Sequence, residues 1–417
     1  MSQQKLGLSL LPLGALVEAV ALGNPLQLIP PWIPIDSTGH SRSELMLTTW
    51  DSPDGPPDGA DISFVIDPDP EVFGTGAAVH IRYPRNRDVL ECAENTALDG
   101  EGTPLDKDTI ELILDRVQPK QGARTTVDFK TLPEGSLSVK ANVGPFYPDA
   151  RVLASPSSLP SVLLSSLRRT HKLSSAPHVC LVKTISDAVS DDVRVFKRCT
   201  HEFGLDKELQ FMTRLPDVDF VLRPTHLVLD EAGLVHGTLS DAHPASSLSL
   251  TMERLHPLAF DGSGWLAGTT PSVSWLVKLG WATDVAAAVA WLHAQSIVWG
   301  DLKTDNIVLC KDGHCRLIDY CPGGYTLGWC APEVEAELPH SKGSVKGDIF
   351  ALGLVLWCIA MEVPTVDTGE EDTVRLPLEW SEGIPGWFQT LVSSCVEDEP
   401  GRRPSAWRVY ESLLASG

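Results

Sequence analysis

The chain has 417 residues, enough for two or three domains, with 43% apolar and 21% charged residues, as in an ordinary soluble globular protein. Its net charge of −22 and pI near 4.9 argue against a nucleic-acid partner, whose phosphates want a basic face. The acidity reads as a solvated surface.

Nine cysteines, an odd number with no C-x-x-C pair, argue against a zinc site and for reduced, buried thiols. Cys310 and Cys315 flank a predicted hairpin and are placed to face each other. No apolar run reaches the length of a membrane span. Leu6 to Gly23 is apolar and follows Lys5, but Pro12 and Glu18 interrupt it, so it is not read as a signal peptide.

In chain order, residues 1–150 form an unassigned N-terminal region rich in Pro, Gly and Asp. Strand-like patches run over 62–66, 77–83, 125–129 and 136–143, and helical spacing over 105–117. Asp51 to Asp61 reads as a loop. The region is expected to be a small, mostly-β domain or a partly ordered extension, with no legible function. Within it Phe73-Gly74-Thr75-Gly76 looks like half of a phosphate-binding loop, but a lone G-x-G is weak and is read as a turn. Residues 151–165, with Pro156, Pro160 and several serines, read as a linker.

Beyond the linker, 179–185 and 193–197 read as strands around a polar turn at 187–192. Leu209, Met212 and Leu215 share a helical face that Pro216 stops. Residues 220–229 and 234–239 read as two strands around the turn Asp230-Glu231-Ala232-Gly233. Trp275 to Ala294 is apolar all round, as a buried helix is. Then come Trp299-Gly300-Asp301-Leu302-Lys303-Thr304-Asp305-Asn306, the apolar run 307–309, and a hairpin turning on Asp312-Gly313. The hairpin brings Asn306 and Asp319 to one end of two paired strands. Ala331-Pro332-Glu333 stands fourteen residues beyond Asp319 at its glutamate, and helices are predicted over 346–361, 385–396 and 404–414.

The pattern D-L-K-x-x-N, a hairpin, a lone Asp and A-P-E, in this order and spacing, resembles the catalytic half of a eukaryotic protein kinase. The resemblance covers 166–417. It implies an α+β, two-lobed protein kinase-like fold: a small antiparallel β-sheet lobe with one helix and a hinge (166–245), then a larger helical lobe (246–417). It also implies a cytoplasmic enzyme that uses ATP and Mg²⁺ to phosphorylate a protein. Such chemistry needs positioning and charge neutralisation more than covalent steps.

By this resemblance Asp301 orients the attacking hydroxyl and takes its proton, and Lys303 neutralises the moving phosphoryl group. Asn306 and Asp319 offer the hard oxygens that Mg²⁺ prefers. Lys197 takes the place of the lysine that holds the α- and β-phosphates. Lys183 competes for that role but leaves no room for two preceding strands. Glu208 would pair with the lysine. Ser174 and Ser175 stand where the phosphate-covering loop belongs, and residues 173–179 contain none of the expected glycines. Asp348 resembles the residue that steadies the catalytic loop, and Arg403 the partner of Glu333. Lys303 at its spacing from Asp301 points to Ser/Thr-directed members.

Other departures stand at Trp299-Gly300, where the family usually has His-Arg, and at Tyr320-Cys321, where it has Phe-Gly. Without the arginine, a phosphate on the short activation segment has no evident receiver, so that segment is expected to be fixed rather than switched by phosphorylation. The glycine-less loop, Gly300 and Cys321 support an alternative, a pseudokinase that serves as a binding or scaffold module. The overall flavour resembles divergent fungal kinase-like proteins.

Overall fold

The computed structural model describes residues 46–52, 55–66, 72–99, 105–146, 150, 158–172, 179–185, 193–199, 205–215, 218–243, 245–255, 273–320, 324–336, 343–366 and 378–416. They divide into two compact units.

The first unit takes in the described residues from 46 to 199 together with 224–241. Its first sheet has the order β1 (Met46–Ser52), β2 (Gly55–Ile66), β3 (Ala77–Pro84), β4 (Ala123–Thr131), β5 (Leu137–Pro145). Between β3 and β4 lie α1 (Ala93–Asp99) and α2 (Lys107–Val117), which allow those strands to run parallel, whereas the other neighbours are antiparallel. Strand alternation puts Ile62, Phe64, Val79, Ile81, Val127 and Phe129 on one face, where Leu98, Ile110 and Ile113 of the helices cover them. The strands expected at 62–66, 77–83, 125–129 and 136–143 are present, and the expected helix begins behind an Asp106 cap that accepts the Thr109 N–H at 2.9 Å.

The stretch Asp51 to Asp61 is not the loop its composition suggests, since Gly55–Ile66 is one strand. Pro56 and Pro57 sit where the β1–β2 register shifts, and β3 pairs only from Gly59 onward. Their missing N–H groups therefore cost no ladder bond.

Glu94, fully buried on α1, ties this domain together. It accepts from Asn86 Nδ2 at 2.7 Å, Thr131 N at 2.8 Å and Thr131 Oγ1 at 2.7 Å. Burial works to raise its pKa, but these hydrogen bonds outweigh it and hold the carboxyl below its usual range.

The second sheet of this unit has the order β6 (Ser161–Leu163), β10 (His226–Leu229), β11 (Val235–Asp241), β9 (Arg194–Arg198), β8 (Val179–Thr184), β7 (Leu167–Lys172). Every pairing is antiparallel except that of β6 with β10. Leu164, Leu167, Cys180, Val182, Phe196, Val228 and Leu239 fill its core. The end of the expected linker is thus an edge strand, held also by the Leu227 N–H on the Pro160 carbonyl at 2.9 Å. The strand expected from 220 starts only at His226.

The second unit takes in 205–223 and the described residues from 242 onward. It contains α3 (Leu205–Arg214), α4 (Leu248–Leu255), α5 (Trp275–Ala294), the hairpin β12 (Ile307–Leu309) and β13 (Cys315–Leu317), α6 (Pro332–Glu335), α7 (Val345–Met361), α8 (Gly386–Cys395) and α9 (Ala406–Leu414). Helices α5 and α7 are apolar all round because both lie in one core with α3, α8 and α9. Among the described residues α5 is the helix long and apolar enough to cross a membrane by length and composition, and 61% of its apolar window is buried here. Its Lys278 pairs with Glu362 at 2.8 Å, both side chains almost wholly buried. The Ala360 carbonyl takes a second Lys278 proton at 2.7 Å, and the Val273 N–H reaches Glu362 at 3.0 Å. A buried charge pair is tolerated when its remaining hydrogen bonds are made in this way.

Candidate active site

The site grows from the C-terminal end of α5. The chain turns there, passes Trp299, which is wholly buried, and reaches Gly300 with φ of 97°. That conformation suits glycine, which has no Cβ to clash. Asp348, in the first turn of α7 behind its Ser344 cap, holds the turn from below. Its Oδ2 accepts the Trp299 N–H at 2.8 Å and lies 2.9 Å from His293 Nε2, and its Oδ1 accepts the Gly300 N–H at 2.9 Å. A buried carboxylate with its lone pairs filled by backbone donors fixes the backbone that precedes Asp301.

Asp301 then meets a closed set of partners. Its Oδ1 accepts from Thr326 Oγ1 at 2.8 Å, and its Oδ2 from Asn306 Nδ2 at 3.0 Å. Lys303 Nζ lies 3.2 Å from Oδ2 and donates to Thr326 Oγ1 at 2.7 Å. Asn306 Nδ2 also donates to the Asp301 carbonyl at 2.8 Å, which turns the amide oxygen away from Asp301. The structure therefore gathers Asp301, Lys303 and Asn306, as the spacing predicts, and adds Thr326, which the sequence pattern does not single out.

The hairpin joins Asn306 to Asp319 as expected. Ile307 faces Leu317 in register, and the Ile318 N–H bonds the Asn306 carbonyl at 2.9 Å. Asp319 follows at once with φ of 62°, a left-handed conformation uncommon for a side-chain-bearing residue and frequent at functional sites. Two oxygen donors, the amide of Asn306 and the carboxylate of Asp319, suit Mg²⁺, which keeps several waters and phosphate oxygens of its own. Among the described residues no set of three or more His, Cys, Asp and Glu side chains forms a self-contained metal cage.

Asp284 of α5 grips the hairpin, accepting the Cys315 N–H at 3.0 Å and standing 3.1 Å from His314 Nδ1. Its hydrogen bond raises the His314 pKa, against the opposing pull of burial. Cys310 and Cys315 are free and buried, and burial pushes both thiols up. Tyr320, Phe211 of α3 and Trp299 form an apolar column beside the loop. On the far side, Arg403 grips Glu333 with two bonds, 2.6 and 2.8 Å, and lies 5.1 Å over the Phe350 ring. This is the expected partnership, and it anchors the segment carrying Thr326.

Of the remaining expected residues, Lys197 stands on β9, the third strand after β7 and β8, opposite Val179 and Thr238, and Lys183 stands on β8. Glu208 lies on α3, which begins at Leu205, and so belongs to the second unit, whereas Lys197 belongs to the first. Ser174, Ser175 and Cys321 lie outside the described residues.

Residues 276–414 match the protein kinase domain family. The chain is 35% identical over 148 residues to the serine/threonine-protein kinase kin-29 of Caenorhabditis briggsae, covering 32% of this chain and 18% of that protein. It is 28% identical over 154 residues to the megakaryocyte-associated tyrosine-protein kinase of Mus musculus, 32% of this chain and 30% of the relative. It is 28% identical over 160 residues to mitogen-activated protein kinase kinase kinase 12 of Rattus norvegicus, 33% of this chain and 17% of the relative. The chain thus spans less than a third of the length of these relatives. The resemblance to the kinase superfamily is borne out, whereas the fungal flavour is not.

Proposed function

From the membership of residues 276–414 in the protein kinase superfamily, we propose that this chain is a two-lobed, ATP-dependent protein kinase acting on serine or threonine hydroxyls of a protein in the cytoplasm. The observation that carries the reading is the set closed around Asp301 by Lys303, Asn306 and Thr326.

In this reading Asp301 receives the acceptor hydroxyl on the carboxylate oxygen that Thr326 now touches, aligns it and takes its proton. Lys303, held between Asp301 and Thr326, places a cation beside the moving phosphoryl group. Asn306 and Asp319 would hold Mg²⁺, which neutralises phosphate charge when bound. By the family resemblance Lys197 would hold the α- and β-phosphates, Glu208 would be its partner, and Ser174 and Ser175 would take the part of the phosphate-covering loop. The Thr326 hydroxyl is engaged by both catalytic side chains, which supports an activation segment that works without phosphorylation.

A pseudokinase role is the second reading, favoured by the absence of glycine from residues 173–179. A thermal-shift titration with ATP and Mg²⁺ on the wild type and on Asp319→Ala separates the two. A metal-dependent rise in Tm that Asp319→Ala loses supports a working nucleotide site. No rise at millimolar ATP gives the lead to the scaffold reading.

A further inference from the structure

We propose that Phe73 is a positioning residue for Lys197, through which the N-terminal sheet domain holds the strand that carries the expected phosphate lysine. The role of Lys197 rests on the kinase reading above, but the packing does not. The turn Val72-Phe73-Gly74-Thr75-Gly76, which resembles half of a phosphate loop, does different work in the fold. Gly74 and Gly76 adopt φ of 74° and 80°, and Thr75 Oγ1 closes the turn on the Val72 carbonyl at 3.1 Å. The Gly76 carbonyl accepts the Gly122 N–H at 2.7 Å, which fastens the turn to the first sheet.

From that anchored turn Phe73 reaches into the second sheet. Val72 bridges Arg168 of β7, and the Phe73 ring packs on the core of Leu164, Leu167, Cys180, Val182 and Phe196. It meets Phe196 edge to face, centroids 5.2 Å and planes 87° apart, while the Arg169 guanidinium lies over the Phe73 ring, 4.9 Å from its centroid. Phe196 is 1% exposed and directly precedes Lys197. A Cβ at Gly237 would lie 2.8 Å from the Phe196 ring and 2.1 Å from the Lys197 carbonyl, so β11 presses on the same two residues from the other flank.

Neighbouring side chains of a strand point to opposite faces. The seat of the Phe196 ring on one face therefore sets the direction of Lys197 on the other. Phe73 completes that seat, and it comes from a domain that carries none of the expected catalytic residues.

The test uses the full chain. Hydrogen exchange is measured over 193–199 and over 285–294 in the wild type, Phe73→Ala, Phe73→Leu and Phe73→Tyr, together with ATP affinity by thermal shift. Phe73→Ala is expected to speed exchange over 193–199 by about tenfold, leave 285–294 unchanged and weaken ATP by a similar factor, with Phe73→Tyr near the wild type. Phe73→Leu, the milder change, is expected to fall between and serves if the alanine variant does not fold. Unchanged exchange over 193–199 in the folded variants overturns the proposal, and so does faster exchange with ATP affinity unchanged. A wild-type chain that binds no ATP sinks the kinase reading instead, and the exchange rates alone then decide whether Phe73 holds the strand.

Discussion

The ring of Tyr320 lies flat on the ring of Phe211, with centroids 3.3 Å and planes 14° apart. Trp299 meets both rings edge-on, at 5.4 Å and 6.3 Å. One apolar column therefore joins α3, the catalytic loop and the residue after Asp319. Phe211→Ala opens a gap in this column. It is expected to lower stability by about 2 kcal/mol, less than a fully buried Phe because Phe211 is half-buried. Turnover is expected to fall as well, since Asp319 loses the support of its neighbour. Denaturant melts paired with kinetics check this, and unchanged turnover would show that the column only packs.

Thr326 bridges Lys303 and Asp301. Thr326→Val keeps the shape and removes the hydroxyl, so turnover is expected to fall about tenfold, the scale of one charge-assisted hydrogen bond. Thr326→Ser should retain most activity. Thr326→Asp places a second carboxylate against Asp301 and should abolish turnover. An aspartate variant more active than the wild type would contradict an activation segment that works without phosphorylation.

Asp348 is the fastening of the loop. Asp348→Asn replaces one acceptor oxygen with an N–H₂ group facing a backbone N–H. The expected loss is about 1–3 kcal/mol, the range for leaving a buried donor unpaired. Equilibrium unfolding measures it directly, and a loss within error would show that the loop holds itself.

His314 makes the stability of the hairpin depend on pH. Its folded pKa is raised above the ordinary 6.5 by its bond to Asp284. The proton is thus held more tightly in the folded chain. The stabilisation is fully present below the ordinary value and is lost as pH rises through the raised one. The Tm gap between the wild type and His314→Gln is expected to be wider at about pH 5.5 than at about pH 8.5. A gap that widens toward alkaline pH would contradict the assignment.

The legible parts of this chain are those in which short-range chemistry and spacing coincide. Asp301, Lys303 and Asn306 share one tight loop, and the Asp312-Gly313 turn fixes the route to Asp319, so order along the chain already implies proximity. Thr326 was not legible because its role arises across 25 residues of separation from Asp301. Asp284 was hidden for the same reason, as one acidic residue in an apolar helix whose target lies 31 positions on. Strand β6 was missed because three residues beside a proline carry too little pattern to outweigh linker composition. Phe73 read correctly as part of a turn, but nothing local says that its ring belongs to the core of another sheet.

The measurement that tests the central claim most directly is transfer of labelled γ-phosphate from ATP to a protein substrate mixture, in the presence of Mg²⁺, by the purified wild type and by Asp301→Asn. The account predicts metal-dependent label on serine and threonine with the wild type, and none above background with an Asp301→Asn protein of unchanged fold. Label that persists undiminished in Asp301→Asn, or its absence from the wild type under conditions in which ATP binds, would contradict it.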